Sequence, residues 1–393
     1  MPPRDYLKYE INLLKGLVSF NTDSETKANY VACADFIAKE ARALGFQAEI
    51  IRADVPDRKP RPNVLIYCDN KQKEDLLVVT HFDVVPAGSD WKVKPNKLRQ
   101  EGERLFGLGV ADDKAAIAAS LGALRELKGK KCGKNIKMIA ACDEEVGSGY
   151  GIKFLALQHP KKLNAVGCLV MDSKLEHIGI GCSGIVRGTI KIKGTPGHAA
   201  YAFRNPNIVH KAISFLNDLK EFEKEREKRV SVVDAPAFAP NKKLWGRFNI
   251  TILKSGHKSN AIPSNVRIGF DIRALPEEYI KTVMNEFRRH ARRLLKKHGL
   301  VGRVSMTGSD GYFVPKENAF VKEVAECVKS ATGKKPVLAG ELGGTDGRFI
   351  ARLGIPTVGY GPGGSNPHSA QESITLKEIR LSKRVLMKLI QGK

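Results

Sequence analysis

The sequence predicts an α/β protein with a mixed, largely parallel sheet, interrupted by an inserted ferredoxin-like βαββαβ module. Two patterns carry this. Short apolar runs alternate with helical stretches early in the chain and again near its end, as they do where helices cover both faces of a sheet. Between them the order changes to strand, helix, two strands, helix, strand. The 393 residues allow two or three domains, and 42% hydrophobic with 27% charged residues exclude global disorder.

Taken in order, Tyr6 to Val18 has apolar residues at helical spacing, and Asn29 to Leu44 repeats the pattern until Gly45 stops it. The runs Asn63–Tyr67, Leu76–Thr80, Ile136–Ala141, Gly167–Met171 and Ile355–Tyr360 read as strands, with a helix over Ala115–Leu127. In the middle, Ile185–Lys193 reads as a strand and Ile208–Lys228 as a long helix. Arg247–Leu253 and Val266–Ile272 read as strands, Pro276–Lys297 as a helix and Arg303–Thr307 as a last strand. Residues 1–183 and 312–393 are thus expected to form one domain and 184–311 the insertion.

The formal net charge is +24. Residues 184–311 hold 25 Lys/Arg against 11 Asp/Glu, and the charge-rich helical stretches Glu221–Arg229 and Arg288–Lys297 read as solvated faces. A nucleic-acid role on such a module would want exposed aromatics on its sheet. The strands offer only Phe248 and Phe270, so no nucleic-acid partner is expected. Seven scattered cysteines with no CxxC pair read as reduced thiols of a cytoplasmic protein. Met1–Leu7 leads into no apolar signal core, and no run reaches about 18 apolar residues. Neither secretion nor a membrane is expected.

The chemistry sits at strand ends. His81 and Asp83 follow the strand Leu76–Thr80 in a His-x-Asp pattern that can combine a metal ligand with the carboxylate that orients it. Asp112 and Asp113 follow a glycine-containing turn, Gly107–Ala111, and precede a helix that Asp113 would cap. Asp143-Glu144-Glu145 follows Ile136–Ala141, and three adjacent carboxylates repel unless solvated, protonated or neutralised. Asp172 ends Gly167–Met171, and His368 lies on the loop after Gly361-Pro362-Gly363-Gly364. Ligands of open α/β sheets lie at that edge, and this oxygen and nitrogen donor set suits zinc or a similar divalent ion.

Together, Thr80-His81-Phe82-Asp83-Val84-Val85-Pro86, Gly107-x-Gly-x-x-Asp112-Asp113-Lys114, Asp143-Glu144-Glu145-x-Gly147 and His368 resemble the di-zinc amidohydrolase and peptidase family. That family includes succinyl-diaminopimelate desuccinylase, acetylornithine deacetylase, aminoacylase and glutamate carboxypeptidase. The resemblance covers nearly the whole chain and implies a zinc-peptidase-like catalytic domain with an inserted lid and dimerisation domain. It implies two divalent ions, zinc with cobalt or manganese as alternatives. His81 and Asp172 would hold one, Glu145 and His368 the other, and Asp112 would bridge them, with Asp83 orienting His81 and a cis Asp112–Asp113 peptide. Glu144 would be the general base.

Gly194-Thr195-Pro196-Gly197-His198-Ala199-Ala200 resembles the family segment whose histidine reaches the oxyanion from a partner subunit, which implies a homodimer through 184–311. Asn260 and Arg273 match positions that hold substrate, Arg273 being suited to clamp a carboxylate. Thr345, in Gly343-Gly344-Thr345-Asp346-Gly347-Arg348, would donate a hydroxyl, while Asp346 and Arg348 could equally form a helix-capping pair. Leu108 stands where many members carry Arg, and Asp172 where some carry Glu. The implied activity is hydrolysis of an N-acyl amino acid, with a dipeptidase or carboxypeptidase as the alternative.

Overall fold

A computed structural model of the chain describes residues 7–392. Tyr6, with which the first helix was expected to begin, and the segment before it lie outside the described residues. The chain divides into two compact units, Met1–Ile180 with Val314–Ala339 and Thr345–Lys393, and Gly181–Phe313 with Gly340–Gly344.

The first unit is built on a mixed sheet whose first six strands in space, ahead of Ile178–Cys182, are Gln47–Ala53, Arg61–Cys68, Asn135–Ala141, Asp75–His81, Gly167–Val170 and Thr357–Gly359. The last four are mutually parallel, and the first two are antiparallel to their neighbours. Leu76, Leu77, Val78 and Val79 are all buried, as expected of a strand covered on both faces. Gln47–Ala53 escapes the sequence reading because it is an edge strand with an alternating, half-exposed pattern and no apolar run.

Helix Lys114–Leu127 is buried almost all round, which its small residues Ala115, Ala116, Ala118 and Ala119 permit. Helices Lys8–Ser19 and Leu376–Gln391 pack against it. Gly122 is required there, since a Cβ on it would lie 2.2 Å from Glu10 Oε1. That buried carboxylate pairs with Lys383 at 2.7 Å, and Lys383 also meets Glu126 at 2.8 Å.

In the second unit, strands Arg247–Ser255, Asn265–Ala274, Gly184–Lys193 and Val301–Ser309 form an antiparallel sheet in that order. Helices Ile208–Glu227 and Ile280–Lys297 share its apolar core. Phe222, Phe248, Phe270 and Phe287 cluster there, the closest rings 4.3 Å apart. Phe248 and Phe270 are therefore buried and present no stacking surface. Arg226, fully buried, donates to both oxygens of Glu278, which also accepts from Arg229 and the Leu275 amide.

The helix expected from Pro276 begins only at Ile280, whose amide donates to Asp310. The compact unit also differs from the expected span 184–311. It takes in Gly340–Gly344 because Gly340 lies against Leu244 and Val233 so closely that only glycine fits. Among the described residues no helix is long and apolar enough to cross a membrane.

Candidate metal centre

The four parallel strands of the first unit end at one edge, and their ends carry the site. His81 is the last residue of Asp75–His81. Its Nδ1 donates to the Asp83 carbonyl at 3.1 Å, which leaves Nε2 facing carboxylates as a metal-binding tautomer requires. Asp83 does more than orient His81: its carboxylate accepts the amides of Glu144 at 3.1 Å and Glu145 at 3.2 Å, holding the single turn Glu144–Val146.

Asp143 explains how three adjacent acids coexist. Its backbone is left-handed, with φ of 62°, and its buried carboxylate turns away to meet Lys27 at 3.1 Å and Arg61 at 3.0 Å. Glu144 and Glu145 remain at the edge. The Asp112–Asp113 peptide is cis. Asp113 precedes helix Lys114–Leu127 but does not cap it with its side chain, and instead accepts the His81 amide at 3.2 Å.

Two donor groups result. His81, Asp112 and Asp172 each bring one ligand atom within 4.8 Å of the others, and so do Asp112, Glu145 and His368. Asp112 belongs to both, with Oδ1 2.8 Å from His81 Nε2 and Oδ2 3.1 Å from His368 Nε2. His368 Nε2 also lies 3.1 Å from Glu145 Oε1. Ligand atoms about 2.0 Å from a tetrahedral zinc stand roughly 3.3 Å apart, so these spacings fit a coordination shell.

The electrostatics point the same way. Burial and the neighbouring Asp112 push Asp172 up to about 7, and burial raises Glu145 above its ordinary value and Glu144 well above it. Asp112 is also penalised by burial, but hydrogen bonds with His368 and His81 hold it below its ordinary value. His368 rises to about 10 because Asp112 and Glu145 bind it. Four carboxylates face two imidazoles here, an imbalance that a divalent cation relieves.

One positioning residue has no counterpart in the sequence reading. Glu372, buried, accepts the amides of Gly109 at 2.9 Å, Ala111 at 2.8 Å and Asp112 at 3.2 Å, tying down the loop that presents Asp112. Its place four residues after His368 was the one available signal. Asp346 and Arg348 do not form a capping pair, since the Asp346 carboxylate accepts from Ser148 and Arg348 donates to the Thr345 carbonyl at 3.0 Å.

In the second unit, Gly197-His198 pairs with Ala261-Ile262, and the Ala199 amide donates to the Asn260 carbonyl at 3.0 Å. His198 and Asn260 therefore lie on one exposed feature. Arg273 donates from Nε to Asp271 at 2.7 Å and also lines a cavity.

Residues 77–392 match the sequence pattern of Peptidase family M20/M25/M40. The chain belongs to this family. Among its relatives, the succinyl-diaminopimelate desuccinylase of Pelagibacter ubique (strain HTCC1062) is 27% identical to this M20/M25/M40 chain over 393 residues, 98% of each. The M20 family metallo-carboxypeptidase Sso-CP2 from Sulfolobus solfataricus shares its fold with a TM-score of 0.81 at 21% identity, over 98% of this chain and 99% of that one. A Bacillus subtilis protein described as a dinuclear metal binding peptidase of the M20 family aligns with a TM-score of 0.66 at 16% identity, over 99% and 98%. As an M20/M25/M40 member the chain is a hydrolase acting on carbon–nitrogen bonds.

Proposed function

We propose that the chain is a di-zinc amidohydrolase that removes the acyl group of an N-acyl amino acid, of the succinyl-diaminopimelate desuccinylase type. The observation that carries the two-metal chemistry is Asp112, whose two carboxylate oxygens each face a histidine of a different donor group, and the desuccinylase relative supports the N-acyl substrate. Two divalent ions, zinc with cobalt or manganese as alternatives, would acidify an attacking water and polarise the scissile carbonyl there.

The chain's own residues do the rest. Glu144, held by the Asp83 carboxylate through its amide, takes the water's proton and passes it to the departing amine. His198 of a partner subunit steadies the oxyanion, which makes the active form a homodimer through residues 184–311. Arg273, Asn260 and Thr345 hold the substrate, Arg273 through its free carboxylate. The enzyme works in the cytoplasm, where its cysteines, which form no disulfide among the described residues, stay reduced.

The test is hydrolysis by the zinc-reconstituted protein of N-succinyl-diaminopimelate, N-acetyl-ornithine, N-acetyl-methionine and several dipeptides, before and after chelation. Chelator-sensitive preference for an N-acyl amino acid is expected. Preference for dipeptides would replace this reading with the peptidase one, the activity named for several proteins of the same fold.

A further inference from the structure

Arg247 and Arg273 sit directly opposite each other on neighbouring antiparallel strands of the second unit. Like charges in that position repel, and the carboxylate beside them is already engaged. Asp271 accepts from Arg273 Nε at 2.7 Å and from Arg187 Nε at 3.2 Å. Arg247 donates to Ser183 Oγ at 3.0 Å and to the Leu342 carbonyl at 2.8 Å, yet its Nε is buried without a partner. Burial and the Arg273 charge bring Arg247 down to about 10.

Arg247 and Arg273 both line one cavity of about 650 Å³ with Asn249, Thr251, Asp271 and Gly343. Two cations held side by side, with the adjacent Asp271 carboxylate already shared, are costly unless an anion in the cavity offsets them. A strand position opposite Arg273 would accept many uncharged residues at no such cost.

We propose that this cavity is a dicarboxylate subsite in which Arg247 adds a second guanidinium to the Arg273 clamp, so that the chain selects compounds carrying two carboxylates. Its assignment to the substrate rests on the amidohydrolase reading above. The bond to Leu342 makes Arg247 also a strut for the Gly340–Gly344 segment, and the experiment separates the two roles.

Succinate and butyrate, matched in chain length and differing by one carboxylate, are titrated calorimetrically into the full-length protein, metal-loaded and chelated. Wild type is expected to bind succinate about tenfold more tightly than butyrate in both states, the factor expected of one added charge-assisted contact. Arg247→Gln should bring the two within about twofold, and Arg247→Lys, which keeps the charge but not the fork, should fall between and serves if Arg247→Gln does not fold. Arg267→Gln, removing an exposed charge elsewhere on the strand of Arg273, should keep the preference. The proposal is overturned if wild type shows no preference, if Arg247→Gln retains it, or if Arg267→Gln abolishes it equally. Failure of the hydrolysis panel with the succinate preference intact would sink the amidohydrolase reading alone, and the reverse would sink only the subsite.

Discussion

The proposed mechanism gives Asp112 and Glu144 different work within one acidic edge, and single substitutions should separate them. Glu144 belongs to neither donor group. Glu144→Ala should therefore keep two equivalents of metal by elemental analysis while losing about 10²- to 10⁴-fold in kcat. His368→Ala should lose one equivalent, because only Asp112 and Glu145 would remain in its group. Glu372 belongs to neither donor group, but three amides of the Asp112 loop converge on it. Glu372→Ala should weaken metal affinity by about 10- to 100-fold, as loss of such supporting partners does, with partial rescue by Glu372→Gln. Unchanged affinity in Glu372→Ala would reduce the residue to a fold contact.

At the scale of elements, the junction of helix Ile208–Glu227 with the turn before helix Ile280–Lys297 depends on one buried ion pair. Burial works against the Glu278 carboxylate, but hydrogen bonds from Arg226 outweigh it and hold Glu278 below its ordinary value. A carboxylate depressed in the folded state stabilises above its unfolded value, about 4.3, and loses that contribution as pH falls through the folded one. Glu278→Gln should cost about 1–3 kcal/mol at pH 7 by leaving Arg226 poorly paired, and its melting deficit should shrink below about pH 4. A deficit independent of pH would mean that packing, not charge, dominates there. This junction also shows where sequence reading stops: Pro276–Tyr279 has a helix-compatible pattern, and only the side chains of Glu278 and Asp310 reveal that the helix starts later.

For the whole molecule, every residue of the two donor groups lies in the first unit, while the second has its own hydrophobic core. Metal at 100 times its Kd adds about 2.7 kcal/mol to the stability of what it binds. Chelation should therefore raise amide exchange around His81, Asp112, Glu145 and Asp172, leaving the core of strands Asn265–Ala274 and Gly184–Lys193 protected. Equal loss in both units would show that they open as one.

What the sequence determined by itself was most of the buried strands, though not Ile178–Cys182, their order along the chain and the acids and histidines that cluster near their ends. Apolar runs and strand-end polar residues are local, and His81, Glu144, Glu145 and Asp172 each stand just beyond such a run, whereas Asp112 and His368 follow glycine-containing turns. The tertiary structure decided what these side chains meet. Nothing local tells Asp143 from Glu144 and Glu145, yet Lys27 and Arg61, far off in sequence, take Asp143 out of the edge. Nor does sequence show Glu372 beneath the Asp112 loop or Arg247 opposite Arg273, since both depend on pairing between distant strands, where register alone sets which side chains share a face.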